Sequence, residues 1–225
     1  MPELPEVETI RTALSKKVEG SRIASVCLYR SNLRYPFQPN FCQKLIGASI
    51  EKVGRRAKYL VFSLNNGAAL ISHLGMSGVW RYQLKESESD AGAAAPLKHD
   101  HVAIELEETK GVKGALFYND PRRFGFMSVG AQTTLEEENF SHLGVEPMGK
   151  NFHVAYLCAK LQARKTSIKS ALLDQSIVAG LGNIYVCEAL WRSAISPLRR
   201  CEDLMADPQA PQIMQLLQKN IRKVL

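Results

Sequence analysis

The hydrophobic rhythm of this 225-residue chain changes once, and that change limits the fold more than any single motif. Up to about residue 130 apolar and polar residues alternate in short runs, the period of a half-buried strand. The runs are "RIASVCLY" (22–29), "AKYLVFSLNNGAALISHLGMSGVW" (57–80), "HVAIELEE" (101–108), "GALFYND" (114–120) and "FGFMSVG" (124–130). Asn66-Gly67 marks a hairpin turn inside the second of them. From residue 152 onward the text is helical: "FHVAYLCAKLQAR", "SIKSALLD", "NIYVCEALWRSA" and "PQIMQLLQKNIRKVL". Between the two regimes, "TTLEEENFSHLGVEPMG" (133–149) reads as a polar linker. The chain is therefore expected to be α+β, with a first domain over 1–135 and an all-helical second domain over 136–225. Short antiparallel strands of this kind close as a sandwich or a barrel.

One helix precedes the strands. Val7, Ile10, Leu14 and Val18 recur at helical spacing, Pro5 suits the first turn, and Gly20 is placed to end it. The chain thus begins at a helix N-terminus, with "MPELPEVE" putting two prolines and three glutamates in its first eight residues.

Charge narrows the partners. The net charge is +7, and residues 151–225 carry ten Lys and Arg against five Asp and Glu. An anionic partner is favoured, with the helical third as its main electrostatic footprint. The five cysteines, at 27, 42, 158, 187 and 201, form no C-x-x-C pair, which suits a reducing compartment and supplies no metal site. No apolar run is long enough to span a membrane, and the acidic start is unlike a signal peptide, so a soluble intracellular protein is expected. The stretch "ESESDAGAAAP" (86–96) reads as a mobile surface loop.

Five places hold residues with chemical potential. Pro2 becomes a free secondary amine once Met1 is trimmed; a terminal amine titrates near pH 7.7–8.0 in general and can attack an electrophilic carbon. Glu3 and Glu6 beside it are proton carriers, although the same residues also make a plain capped helix start. In "GRRAKYLVF", strand alternation would put Arg56 and Lys58 on one face, open to a phosphate or to solvent as gatekeepers of an edge strand. His73 and Met76 sit in the glycine-punctuated "SHLGMSG"; the histidine also fits a structural role, while an exposed methionine can wedge into a base stack. In "YNDPRRFGF", Asp120-Pro121 starts a turn with Arg122, Arg123 and Phe124 at its tip, a pairing suited to base edges and stacking as well as to an ordinary hairpin. "GLGNIY" opens a helix whose amides, with Asn183, can face an anion.

Taken in order, "PELPEVETIR", "GRRAKYL", "HLGMSG", "DPRRFG" and "GLGNIY…EALW" resemble the formamidopyrimidine-DNA glycosylase family over essentially the whole chain. The resemblance implies a two-layered β-sandwich with flanking helices, a helix-two-turn-helix domain after it, and damaged duplex DNA held between them. It implies Pro2 as the nucleophile at C1′ of a damaged nucleotide, Glu3 as acid/base and Lys58 as an essential phosphate-side lysine. Glu6, His73 and Asn183 match supporting positions, and Met76, Arg122 and Phe124 match the trio that fills the gap left by an everted nucleotide; Arg123 neighbours that trio on the same tip. Oxidised purines are the implied substrates and β,δ-elimination the implied strand cleavage, by a monomer in a bacterial cytoplasm. Rival readings are the sister endonuclease VIII branch, acting on oxidised pyrimidines, and a non-catalytic DNA binder. Members of the family normally end in a four-cysteine zinc finger whose ligands this sequence lacks, so no cofactor is expected here, a zinc ion only in a complete member, and the chain reads as truncated. A retained Met1 would lock the proline nitrogen in an amide.

Overall fold

The computed structural model describes residues 2–84, 96–107 and 113–225, so Met1 and nearly all of the 86–96 stretch lie outside the described residues. The chain divides into two compact units, one ending at Phe140 and one running from Ser141 to Leu225.

In the first unit α1 (Leu4–Val18) leads into β1 (Arg22–Leu28), α2 (Phe41–Leu45), β2 (Ile50–Arg56), β3 (Tyr59–Leu64) and β4 (Ala68–His73). After these come β5 (Val79–Leu84), β6 (Asp100–Glu107), β7 (Lys113–Asn119), β8 (Phe126–Ala131) and α3 (Gln132–Phe140). The strands form two four-stranded antiparallel sheets, ordered β1-β6-β7-β5 and β2-β3-β4-β8. Period-2 alternation explains their stacking. Leu60, Phe62 and Leu64 of β3 join Ile104, Leu106 and Leu116 of the other sheet in one interior core, which makes the unit a sandwich. Helix α1 adds Val7, Leu14 and Val18 to that core. It stops where expected: Gly20 takes φ 86° and donates its N–H to the Ile50 carbonyl at 2.7 Å.

Two expectations need correction. The stretch from 133 is not linker throughout, because Gln132–Phe140 is helical. The outward residues of β3 and β4, Val61, Ala69 and Ile71, are apolar too, and Leu135 of α3 covers them. That second buried face is what makes an otherwise polar helix stable there. The other correction concerns "GRRAKYLVF", which is not one strand. Arg56 pairs with Tyr59 across a two-residue turn, so Lys58 stands at a hairpin tip between β2 and β3 and shares no strand face with Arg56. Ala57 makes the turn with φ 51°, a conformation normally signalled by glycine or asparagine.

The second unit holds α4 (Val154–Leu161), α5 (Ile168–Leu173), α6 (Asn183–Arg192), α7 (Cys201–Ala206) and α8 (Ala210–Val224). Its core draws Leu157 and Leu161 from α4, Leu172 from α5, Val186 and Leu190 from α6, and Met214, Leu217 and Ile221 from α8. Spacings of three and four put each set on one helical face.

Candidate active site

Pro2 leads into a tied helix start. Glu3 caps α1 in a reciprocal box: its carboxylate accepts the Glu6 N–H, and the Glu6 carboxylate accepts the Glu3 N–H at 2.9 Å. Pro2, half-buried, precedes this box directly. Glu3 is only 2% exposed, unusual for a carboxylate at a chain terminus.

Lys58 is equally unusual at 7% exposure. Burial pushes its ammonium pKa down, while the Glu3 carboxylate acts on it in the opposite sense. The hairpin tip has therefore been brought within electrostatic reach of the helix start, 55 residues earlier in sequence terms (58 − 3). The neighbouring Arg55 is used structurally, donating to Glu8 at 2.8 Å and to the Ala57 carbonyl at 2.9 Å.

His73 closes β4 on the same side. Its ring stacks on Phe126 with centroids 5.3 Å apart and meets Tyr59 edge-on at 4.9 Å. Nδ1 accepts the Gly75 N–H at 3.0 Å, which leaves the proton of the neutral ring on Nε2. Burial, then the charges of Lys58 and Arg34, pushes the pKa down to about 4. The side chain is thus a neutral N–H donor at physiological pH. Because the folded pKa lies below the ordinary 6.5, the unfolded chain takes up the proton first as pH falls. The stabilising contribution is complete above 6.5 and is lost as pH drops toward 4. Ring nitrogen shifts followed by NMR should show no titration of His73 between pH 8 and about 5; a midpoint near 6.5 would contradict the buried, cation-flanked ring.

Two loops converge beside it. Met76 lies between β4 and β5 and is 42% exposed; Phe124, 43% exposed, lies between β7 and β8 with the Arg122 guanidinium 4.8 Å above its ring. Arg123 takes φ 55° as its N–H closes the turn onto the Asp120 carbonyl at 3.1 Å. A cavity of 550 Å³ runs between them, lined by His73, Met76, Arg122, Arg123, Phe124 and, from the segment before α2, Arg34. The loops touch backbone to backbone: a β-carbon on Gly75 would collide with the Phe124 carbonyl carbon and the Gly125 nitrogen. Only glycine fits that approach.

Asp120 and Arg34 escape a reading of the sequence. Asp120 precedes a proline and passes for a turn former, yet it is fully buried and bonded to both loops. Arg34 has no local pattern around it; its N–H donates to the Gly125 carbonyl at 3.0 Å, which delivers it to the cavity.

In the second unit, Asn183 is the exposed first residue of α6, behind Gly182 as N-cap. Gln175 shapes the turn before it, accepting the Gly180 N–H at 2.9 Å and donating to the Leu181 carbonyl at 2.8 Å. A helix start with an exposed amide side chain is a ready anion receptor. Among the described residues no group of three His, Cys, Asp or Glu side chains is placed to hold a metal ion, so these residues do not fit a zinc site.

Sequence models settle the lineage of both units: the formamidopyrimidine-DNA glycosylase N-terminal domain matches residues 1–127, and the H2TH domain of the same glycosylase matches 143–225. The chain belongs to the formamidopyrimidine-DNA glycosylase family. Curated family relatives agree. The protein of Bartonella henselae is 47% identical over 230 residues, covering 100% of this chain and 78% of its own length. That of Rhizobium leguminosarum is 46% identical over 237 residues with the same coverage. Among solved structures, the Lactococcus lactis glycosylase bound non-covalently to DNA containing an AP site matches with a TM-score of 0.85 and 32% identity, over 99% of this chain and 79% of that one. MutM in complex with DNA containing carbocyclic 8-oxo-G matches at 0.85 and 32%, over 99% and 78%.

Proposed function

We propose that the chain is a base-excision-repair DNA glycosylase and AP lyase that removes oxidised purines, 8-oxoguanine and formamidopyrimidines, from duplex DNA. The observation that carries this reading is the buried Glu3 carboxylate, capping the helix behind the terminal amine and acting electrostatically on the buried Lys58. Carboxylate, amine and ammonium are the parts that an attack on a sugar carbon needs.

The steps follow from those groups. The Pro2 nitrogen lone pair bonds to C1′, and the electron pair of the glycosidic bond leaves with the base, which takes up a proton. The nitrogen then passes its own proton to the Glu3 carboxylate. Its lone pair expels the ring oxygen, O4′ receives a proton from Glu3, and a C1′ iminium remains. The iminium draws electrons from the sugar, so loss of a C2′ proton expels the 3′ phosphate and a second elimination expels the 5′ phosphate. Lys58 and the neutral His73 Nε2–H supply a charge and a donor for phosphate, and Asn183 with the α6 amides supplies another anion receptor. Met76, Arg122 and Phe124, with Arg123 beside them, occupy the space of the everted nucleotide, which must leave the stack to expose C1′. Glu6 holds the helix start. The protein acts as a monomer in the bacterial cytoplasm. The reading assigns no cofactor to this chain, whose cysteines form no C-x-x-C pair.

The test is borohydride trapping on two duplexes. An 8-oxoguanine:C duplex should yield a covalent adduct and a thymine-glycol duplex much less. Preference for thymine glycol would instead indicate the pyrimidine branch; tight binding with no adduct on either would indicate a non-catalytic binder.

A further inference from the structure

We infer that Asp120 is a positioning residue that locks the Met76 loop and the Arg122–Phe124 loop into a single rigid probe. The inference rests on the glycosylase reading above, in which those loops enter the duplex. Its structural basis is a buried carboxylate that takes one bond from the Met76 loop, through the Ser77 hydroxyl, and two backbone bonds from its own loop. Oδ1 accepts from the Ser77 hydroxyl at 2.5 Å, next in sequence to Met76, and from the Arg122 N–H at 3.3 Å. Oδ2 accepts from the Gly125 N–H at 2.9 Å, next to Phe124, and from the Tyr118 hydroxyl at 3.4 Å. Behind it, the Asp120 carbonyl pairs with the Nε2 of buried His101 at 2.9 Å.

The carboxylate accepts from all of these donors at once; the Arg122 N–H also reaches the Ser77 hydroxyl oxygen at 3.3 Å, whereas the Gly125 N–H is given to Oδ2. An amide in its place turns one oxygen into N–H donors. If that nitrogen replaces Oδ1 it faces the Arg122 N–H; if it replaces Oδ2 it faces the Gly125 N–H. The first orientation sets donor against donor at Arg122, whose N–H keeps the Ser77 oxygen; the second leaves the buried Gly125 N–H against a donor, away from water. Gly75 makes the lock tight, since its backbone meets Phe124 and Gly125 directly and no side chain spaces the loops apart. Exposed tips on a buried, shared anchor are what a wedge needs: side chains free to enter a base stack, backbone not free to yield.

Asp120→Asn and Ser77→Ala, both in the full chain, test this. Hydrogen exchange should rise together at residues 74–78 and 122–125 in Asp120→Asn, whether or not the chain excises; a rise in one loop alone overturns the shared lock. With 8-oxoguanine duplexes, single-turnover excision opposite cytosine should fall by roughly tenfold in Asp120→Asn, the equivalent of one unmet buried donor, and the cytosine-over-adenine ratio should shrink toward one. Affinity for an undamaged duplex should stay within about twofold, because no phosphate ligand has been removed. Ser77→Ala, which removes the one bond from the carboxylate to the Met76 loop and keeps both backbone N–H bonds, should move the same ratio in the same direction. Should Asp120→Asn fail to fold, the Ser77→Ala ratio decides, an unchanged value overturning the inference. Wild-type ratios in a folded Asp120→Asn also overturn it. An inactive wild type with coupled exchange would sink the glycosylase reading and leave the lock standing.

Discussion

Borohydride added during turnover on an 8-oxoguanine:C duplex should leave the reduced sugar on Pro2, so that the modified peptide is the N-terminal one. Two amines compete for this role. Lys58 is the rival, because burial lowers its pKa, and desolvated lysines are good Schiff-base formers. Three features favour Pro2. A terminal amine starts from a reference pKa of about 8, more than two units below that of lysine, so more of it is unprotonated at neutral pH. Pro2 is half-exposed, whereas Lys58 is 7% exposed and less able to meet a sugar. The amine also precedes α1, whose N-terminal partial charge disfavours an ammonium, although the Glu3 and Glu6 carboxylates oppose that effect. A secondary amine can form the iminium and can form no neutral imine, which keeps the link electron-withdrawing through both eliminations. Protein retaining Met1 should give no adduct, since an amide nitrogen has no free lone pair. Peptide mapping that placed the sugar on Lys58 would overturn the assignment and reduce Pro2 to a helix-start residue.

Glu3→Gln should slow base removal by about 10²–10⁴-fold, or about 3–5 kcal/mol of barrier, the usual contribution of a positioned acid or base. Some stability should be lost with the charge that opposes desolvation of the buried Lys58 ammonium, but not through the cap. Glutamine keeps a carbonyl oxygen to accept the Glu6 N–H, and the Glu6 carboxylate still accepts the N–H of residue 3, so the capping box survives. The substitution removes the proton carrier and the negative charge facing Lys58 while leaving shape and cap in place. Single-turnover excision and a thermal melt on the same protein separate the two effects. A variant with near-wild-type excision would show that Glu3 only caps the helix; a variant that melts far below wild type would show that its charge mainly holds the buried Lys58.

How much of this was legible beforehand depends on the range of the interaction. The strand character of most of the first unit, the arrest of α1 at Gly20 and the helical character of the second unit are local matters. Each is set by the period of apolar residues and by the backbone freedom of one or two positions, and neighbours in sequence carry that information. Proline and glutamates at the chain start likewise announce a capped helix beside a terminal amine. The five motifs, read in order, were enough to place the family, which the comparisons then showed.

What strand alternation misplaced, or left open, is decided by chain closure. Lys58 sits in a turn because Ala57 accepts a left-handed backbone that no glycine announced, and the surrounding sheet holds it there. Helix α3 looks like linker until the outer face of β3 and β4 offers Leu135 a place to be buried. His73 could be a charged or a neutral ring from its sequence alone. Burial beside Lys58 and Arg34, 15 and 39 positions away (73 − 58, 73 − 34), makes it neutral. Asp120 reads as a turn former and becomes the shared anchor of two loops only when Ser77, 43 residues earlier, arrives at 2.5 Å. Local propensity needs only the nearest residues. Desolvation, charge proximity and the sharing of one carboxylate between a distant hydroxyl and nearby amides exist only once the chain has folded.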